Sequence, residues 1–254
     1  MATIAIGDIH GSLPALDDLL DKIRGECAAG DTVVFLGDYV DRGPRSRECI
    51  DAILRFRRGV AADVVCLLGN HEDWLLRTMR DHRRHSWLLG MEAFDTIRSY
   101  SIDAEATLRQ AAQTAGPALY LEQCALPYDV FFASMPPEHV AFFESLRPYH
   151  RTADCLCSHG GLDPAVADLD AQPGRNFMWG ATGFPDRYRG ADVVVYGHWN
   201  NAAVNADGWP EPLVVGNTIG IDTIAFGVMT AIRLPDRRVF QSARYDCFPD
   251  SGRR

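Results

Sequence analysis

The chain has 254 residues, a net charge of −9 and a pI of about 5.3, which argues against a broad surface for nucleic acid or for an anionic membrane. Its 47% hydrophobic and 23% charged residues are ordinary for a globular protein that can bury one large core. No apolar run reaches the roughly 18 residues that a membrane span needs.

Three short apolar runs before residue 70 predict buried strands, at 3–6, 32–36 and 64–68. Each run ends in glycine followed by a polar residue, and the three pairs are Gly7-Asp8, Gly37-Asp38 and Gly69-Asn70. Between them, amphipathic segments predict two helices, the first with Ser12 as its N-cap and the second after Ser46. Alternating strands and helices predict a largely parallel sheet.

Two later runs, CLCSHGG (155–161) and VVVYGHW (193–199), also predict strands, and they end in His159 and His198. Ligands of such sheets bind at the carboxyl ends of the strands. His10 lies just after Asp8, so we expect these polar side chains to meet at one edge. Residues 213–245 alternate β-rich runs with turns, which predicts an antiparallel closing portion.

The chain as a whole predicts a single domain, 1–254, with a helical cap or insertion at roughly 75–150. The seven cysteines lack a second pair at zinc-ribbon spacing, so reduced thiols are expected. The start, MATIAIGDIHG, lacks the basic and long apolar segments of a signal peptide. Together these features favour the cytoplasm.

The strand-end side chains offer nitrogen and oxygen without sulfur, a set that favours Mn²⁺, Fe or Zn²⁺. Two such ions about 3.5–4 Å apart can lower the pKa of a bound water from about 15.7 towards 7. They also neutralise phosphoryl oxygens, so phosphate esters suit them.

Five motifs resemble, in order and spacing, those of the phosphoprotein phosphatase family of calcineurin-like metallophosphoesterases: GDIHG (7–11), GDYVDRG (37–43), GNHE (69–72), HGG (159–161) and GH (197–198). The chain looks most like compact bacterial serine/threonine protein phosphatases. The resemblance implies an α/β fold, a four-layer α/β/β/α sandwich of two mixed sheets flanked by helices. It also implies two divalent ions, Mn²⁺ before Fe or Zn²⁺, held by Asp8, His10, Asp38, Asn70, His159 and His198.

The resemblance further implies catalytic roles beside the metals. Asp41 would keep His71 protonated and oriented as the general acid for the leaving oxygen. Arg42 would hold the phosphoryl oxygens through its planar donors, and Asn70 would also contact the substrate.

The sequence departs from the family pattern at a second phosphate-binding arginine. Relatives often carry it two residues after a tryptophan, where this chain has Ala181. Three other arginines could bind the substrate instead: Arg175, Arg187 and Arg189. The chain also has GHWN, with Trp199, and IDTI (221–224), where relatives often have threonine and IDTG.

The leading prediction is a phosphomonoesterase that hydrolyses phosphoserine and phosphothreonine in proteins or peptides by attack of a metal-bound hydroxide, with His71 as general acid. The alternative is a dinucleoside polyphosphate (Ap4A-type) hydrolase on the same fold. Those relatives tend to lack an acid at the position of Asp41 and to have aspartate at that of Glu72, so both residues favour the monoesterase. A non-catalytic metal-binding scaffold would normally have lost a ligand, and none is lost here.

Overall fold

The strands lie in two groups along the chain, separated by a long helical stretch. The computed structural model describes residues 1–121 and 123–248. Its strands are β1 (Thr3–Ile6), β2 (Thr32–Phe35), β3 (Asp63–Cys66), β4 (Tyr149–Arg151), β5 (Leu156–Ser158), β6 (Val194–Tyr196), β7 (Ala202–Val204), β8 (Pro210–Val215), β9 (Thr218–Gly220), β10 (Thr230–Leu234) and β11 (Arg238–Gln241).

Helices fill the connections between these strands. They are α1 (Leu13–Arg24), α2 (Ser46–Gly59), α3 (Asn70–Arg80), α4 (Ser86–Gly90), α5 (Phe94–Tyr100), α6 (Ile102–Ala115), α7 (Asp129–Phe132), α8 (Pro137–Glu144) and α9 (Gly174–Trp179). None of the described helices is long and apolar enough to span a bilayer.

The strands form two mixed sheets, as predicted. The first has the order β11-β10-β1-β2-β3, with β1, β2 and β3 parallel and β10 antiparallel to β1. The second has the order β4-β5-β6-β9-β8-β7, with β5, β6 and β9 parallel. The closing portion is therefore not wholly antiparallel, because β9 pairs in parallel with β6.

The two sheets pack face to face around an apolar layer to which Val34, Leu36, Val195, Ile219 and Ile232 belong. The alternation of strand side chains explains this layer, since the other face of β1 and β2 packs on helices. A second core lies between this face and the helices α1 and α2, and it contains Ile4, Ile6, Val33 and Phe35. The outer face of the second sheet is covered more thinly, by Phe177 of α9 and neighbouring loops. The predicted sandwich of sheets flanked by helices is confirmed.

The helices begin where the sequence suggested, but not through the predicted cap. Ser12 precedes α1 without a side-chain capping bond, and among the described residues its hydroxyl has no hydrogen-bond partner. Its backbone, with φ −91° and ψ 68°, departs from the extended conformation typical of an N-cap. Ser46 is the first residue of α2, and its buried hydroxyl lies 3.3 Å from the backbone nitrogen of Asp41.

Residues 86–144, called the helical segment below, contain α4 to α8, and no strand is found among those described. Its core includes Trp87, Leu108, Tyr128 and Phe131, which are continuous with the core beneath α1 and α2. The division of the chain into one domain with a cap at roughly 75–150 stays a prediction.

All seven cysteines are free thiols in this structure. Cys155 and Cys157 have their sulfur atoms 3.6 Å apart and lie in the layer between the sheets. Both cysteines are buried in this layer as small apolar side chains would be, which fits a structural role for their thiols.

Candidate functional site

The polar residues at the strand ends converge at one edge of the two sheets. All six predicted metal ligands are at most 5% exposed: Asp8, His10, Asp38, Asn70, His159 and His198. The backbone N–H of His198 donates to both carboxylate oxygens of Asp8, which joins the sheets at this point. The structure therefore brings together all six residues that the sequence singled out.

Asp38 lies at the centre of this cluster. Its Oδ2 is 3.4 Å from Nε2 of His10 and 3.3 Å from Nε2 of His159. Asn70 Oδ1 and His198 Nδ1 lie 3.0 and 3.1 Å from the same His159 nitrogen. Two overlapping groups of donor atoms, one with His10 and one with His159 and His198, thus share the Asp38 carboxylate.

The imidazole orientations fit metal binding. Nδ1 of His10 lies 2.9 Å from the carbonyl oxygen of Val40, and Nδ1 of His159 lies 3.2 Å from that of Leu36. A carbonyl can only accept, so each Nδ1 donates its proton and each Nε2 turns a lone pair into the cluster. Such backbone bonds commonly hold metal-binding histidines in one tautomer.

The electrostatics of the cluster also fit divalent cations. Burial, followed by the charge of Arg42, holds the pKa of His10 well below its usual range, and burial lowers the pKa of His198 to about 3. These imidazoles are therefore neutral, the form that binds metals. Nε2 of both residues is buried, and neither atom has a hydrogen-bond partner among the described residues. Nitrogen and oxygen donors facing inward without sulfur suit Mn²⁺, Fe or Zn²⁺ alike.

The carboxylates differ in their surroundings. Burial and the nearby negative charges of Asp222 and Asp38 raise the pKa of Asp8 well above its usual value. Burial acts in the same direction on Asp38, but the imidazoles of His159 and His71 outweigh it and hold the pKa of Asp38 well below the usual value. Acidic groups this close and this buried need compensating positive charge, which bound cations supply.

The loops that carry these residues have unusual backbone geometry. Seven side-chain-bearing residues of the site have positive φ: His10, Asp38, Asp41, Arg42, His198, Trp199 and Asn200. Such conformations cost about 1–3 kcal/mol each and collect at functional sites. Glycine is needed beside them for space, since a Cβ on Gly197 would lie 2.0 Å from Oδ1 of Asp8.

Asp41 and His71 form a buried pair, with His71 Nδ1 2.8 Å from Asp41 Oδ2. Burial would lower the pKa of His71, but the charges of Asp38 and Asp41 and the bond to Asp41 outweigh it and raise the pKa. Arg42 Nη2 lies 3.5 Å from the other ring nitrogen of His71. The geometry places the His71 imidazole and the Arg42 guanidinium side by side. The general-acid role that the resemblance implied for His71 stays a prediction.

Two residues of the helical segment complete the Asp41 environment, and sequence reasoning missed both. Trp87 Nε1 donates to Asp41 Oδ2 at 2.9 Å, and Thr96 Oγ1 donates to Asp41 Oδ1 at 2.6 Å. The backbone N–H of Asp41 in turn donates to Thr96 Oγ1 at 2.7 Å. Nothing in the pattern around either residue distinguishes it from an ordinary helical core position.

Glu72 has a structural role in the site. Its carboxylate accepts backbone N–H groups from Asp38 at 2.9 Å, Tyr39 at 2.8 Å, Val40 at 3.3 Å and Gly69 at 3.2 Å. It therefore shapes the loop that carries Asp38.

Asp222 is a third residue that sequence reasoning missed. It is 1% exposed, accepts the N–H of Asn200 through Oδ2 at 2.7 Å, and has no partner for Oδ1 among the residues described. Burial is the first cause of its raised pKa. The IDTI motif (221–224) was the available signal, but nothing in its pattern assigned Asp222 a role beside Asp8.

A cleft of about 630 Å³ adjoins the metal-type cluster, and we call it the aromatic cleft. It is lined by Gly160, Asp163, Arg175, Asn176, Trp179, Gly180, Ala181, Thr182, Phe184, Pro185, Tyr196, Trp199 and Asn201. The rings of Trp179 and Trp199 lie 5.6 and 4.9 Å from that of His198, so the cleft and the cluster share a wall.

The three arginines considered as a second phosphate clamp lie in different places. Arg175 lines the aromatic cleft. Arg189 instead donates through Nη1 to the carbonyl oxygens of Asp186 and Tyr188, and it lines a separate cavity. Arg187 is exposed, with its side chain beside Gly183. Among these three, Arg175 therefore lies in the aromatic cleft and Arg189 in a different cavity, and their roles in substrate binding stay predictions.

A family comparison decides the broad class. The model of the calcineurin-like phosphoesterase family matches residues 1–201. The chain belongs to this family. As a calcineurin-like phosphoesterase it is a metal-dependent hydrolase of phosphate esters, and its His and Asp groups are those that such chemistry uses.

Relatives with curated names match this calcineurin-like phosphoesterase along nearly its whole length. The symmetrical bis(5'-nucleosyl)-tetraphosphatase of Aromatoleum aromaticum is 27% identical over 95% of this chain and 96% of its own. That of Janthinobacterium sp. (strain Marseille) is 29% identical with the same coverage. Both carry the name of the alternative function, whereas the narrower serine/threonine phosphatase prediction finds no support in them.

Solved structures agree on the fold. A structure described as a candidate diadenosine tetraphosphatase has a TM-score of 0.61 at 20% identity and covers 96% of this chain and 94% of its own. A cold-active protein-tyrosine phosphatase from a Shewanella species has a TM-score of 0.55 at 16% identity, covering 94% and 77%. At these identities the likeness concerns the architecture alone.

Proposed function

We propose that this calcineurin-like phosphoesterase hydrolyses dinucleoside tetraphosphates symmetrically. In the adenosine case, water adds to an inner phosphorus of diadenosine tetraphosphate, the central phosphoanhydride bond breaks, and two ADP molecules form. The observation that carries the proposal is the likeness to two proteins named for this activity over 95% of the chain. A match of that extent includes the helical segment and the aromatic cleft as well as the short motifs.

The six strand-end residues would hold two divalent ions: Asp8, His10, Asp38, Asn70, His159 and His198. Bound ions of this kind neutralise phosphoryl oxygens and acidify water. Arg42 supports the same task from the protein, because its planar donors suit phosphoryl oxygens and it lies beside His71. Asn70 is close enough to the cluster to contact the substrate too.

The leaving group determines how much His71 contributes. A phosphoanhydride releases a phosphate oxygen, whose second pKa is about 6, so it leaves readily without a proton. A phosphoserine releases an alkoxide, which needs a proton in the transition state. The Asp41 and His71 pair therefore has more to do for an alkyl monoester than for a dinucleotide.

That pair is the specific observation in favour of a second candidate, a phosphomonoesterase for phosphoserine and phosphothreonine. Its 2.8 Å contact would keep His71 protonated and oriented as the proton donor. Glu72, the other residue that favoured monoesters, does not discriminate, because its carboxylate is occupied with backbone N–H groups. The argument for the monoesterase thus rests on Asp41 alone.

A side-by-side assay separates the two candidates. Purified protein supplied with Mn²⁺ is tested on diadenosine tetraphosphate, a phosphoserine peptide and an aryl phosphate, with products separated by chromatography. The proposal expects the highest kcat/KM on the dinucleotide and ADP as its nucleotide product. ATP with AMP would contradict symmetrical cleavage, and a higher kcat/KM on the peptide would replace the proposal by the monoesterase.

A further inference from the structure

The aromatic cleft has features that phosphate chemistry does not require. Its volume of about 630 Å³ is in the range of small-molecule sites, and its wall continues directly into the candidate metal cluster at His198. Four aromatic side chains line it: Trp179, Phe184, Tyr196 and Trp199. A site for phosphoryl oxygens alone would need cationic and amide donors instead of rings.

We propose that the aromatic cleft binds one nucleoside of the substrate, with its base against the tryptophans and its phosphates directed towards His198. This assignment rests on the proposed function and deepens it, because it locates the part of the substrate that no metal ligand recognises. Bases stack on aromatic side chains through their π-faces, and each such contact contributes measurably to binding.

Trp199 is the first argument for the proposal. It is 71% exposed, yet its backbone is held in the left-handed region at φ 55°, which is unfavourable for a large side chain. Its ring is 4.9 Å from that of His198. A strained loop therefore presents an apolar ring to solvent at the mouth of the cleft, where a base could cover it.

Trp179 is the second argument, since it forms a fixed wall. Its ring packs on Trp74 of α3 at 5.4 Å and on His198 at 5.6 Å, so two different elements hold it in place. A ring that is already ordered loses little entropy when a base packs on it.

The polar residues of the cleft suit an uncharged base that is linked to negatively charged phosphates. Asn176 offers an amide donor and an amide acceptor, which match the edge of a base. Arg175 adds one positive charge for a phosphate. Ala181 stands in the lining where related enzymes often have a phosphate-binding arginine, so this wall is small and uncharged.

Equilibrium binding to the metal-loaded protein tests the site without relying on turnover. ADP and inorganic pyrophosphate both contain a diphosphate, but only ADP has a nucleoside, and pyrophosphate carries one more ionisable oxygen. Isothermal calorimetry should give a Kd for ADP at least about tenfold below that for pyrophosphate. Trp199→Ala and Asn176→Ala should each shrink this ratio, and Trp199→Phe should restore most of it.

Trp209→Leu is the matched control, because Trp209 lies outside the cleft, with Nε1 donating to Gln241 and Arg244 over its ring. It should keep the wild-type ratio. A variant that disturbs the metal cluster would weaken the binding of ADP and of pyrophosphate alike. If Trp199→Ala does so, the affinity ratios of Trp199→Phe and Asn176→Ala test the nucleoside site instead.

The outcomes separate this inference from the proposed function. Equal affinity of wild type for ADP and pyrophosphate, or a ratio unchanged by Trp199→Ala, overturns the nucleoside site even when diadenosine tetraphosphate is hydrolysed. A ratio that depends on Trp199 in a protein that does not cleave the dinucleotide keeps the nucleoside site and removes the proposed function.

Discussion

The strand-end loops and the helical segment supply different things to the same site. The loops after β1, β2, β5 and β6 carry the candidate ligands Asp8, His10, Asp38, His159 and His198, all buried at one edge of the sheets. The helical segment approaches from another side and touches Asp41 through Trp87 and Thr96. Ligands thus come from short motifs, whereas the orientation of the acid pair depends on distant packing.

The comparison predicts that damage to a strand-end loop is the more severe. Asp38→Asn keeps the shape of the side chain but removes the charge that faces His10 and His159. We expect metal content to fall and kcat to drop by about 10³-fold or more on every substrate. Elemental analysis of dialysed protein and steady-state assays measure both quantities.

Asp236→Asn is the matched control, because Asp236 pairs with Arg233 at 2.6 Å on the exposed turn between β10 and β11. Wild-type metal content in Asp38→Asn would show that the shared carboxylate is not a ligand.

The next prediction concerns His71, which stands between the two regions. An alkoxide leaving group needs a proton from His71, whereas the phosphate leaving group of a phosphoanhydride does not. His71→Asn should therefore lower kcat on an alkyl phosphate by about 10²-fold or more. On diadenosine tetraphosphate the loss should stay below about tenfold. His150→Asn, on β4 away from the cluster, serves as the control. Equal losses on both substrates would remove the general-acid role.

The smallest effect is expected from the helical segment itself. Thr96→Val removes two hydrogen bonds with Asp41, and Trp87→Phe removes one, so the acid pair loses its fixed orientation. We expect kcat on an alkyl phosphate to fall about 10-fold to 100-fold with little change in KM, as for residues that orient others. Thr96→Ser should restore most of the activity.

Thr107→Val in α6 removes a hydroxyl that donates within its own helix, to the carbonyl oxygen of Asp103. It should leave kcat as in wild type. If Thr96→Val also left kcat as in wild type, the helical segment would not orient Asp41, and only the strand-end loops would contribute to catalysis.

The sequence predicted those parts of the molecule that depend on neighbouring residues. Asp8 and His10 follow β1 within four residues, and Asp38 follows β2 within three, so strand prediction alone placed them at one edge. The helices between β1, β2 and β3 were predicted for the same reason. The two mixed sheets, in contrast, were an expectation from the family resemblance. The parallel pairing of β9 with β6 was not predicted, because the sequence of a three-residue strand does not reveal which neighbour it pairs with.

Contacts that depend on how the helical segment and the later loops dock could not be predicted. Thr96 is 55 residues from Asp41, and Asp222 reaches the cluster from a separate loop. Their partners depend on how helices and sheets dock, which local pattern does not encode. Likewise, nothing in the spacing of Arg175 and Arg189 indicated that only the former would face the cleft.

The carboxylate of Glu72 behaves as a strut between two candidate ligands. Glu72 belongs to the first turn of α3, which also contains Asn70. Its carboxylate accepts hydrogen bonds from four backbone N–H groups, including that of Asp38. Any tilt of that helix is therefore transmitted to both positions at once, and the gap between them stays constant. In this chain, a substitution elsewhere in α3 leaves these four bonds in place, whereas Glu72→Asp would require the loop that carries Asp38 to lie closer to the helix.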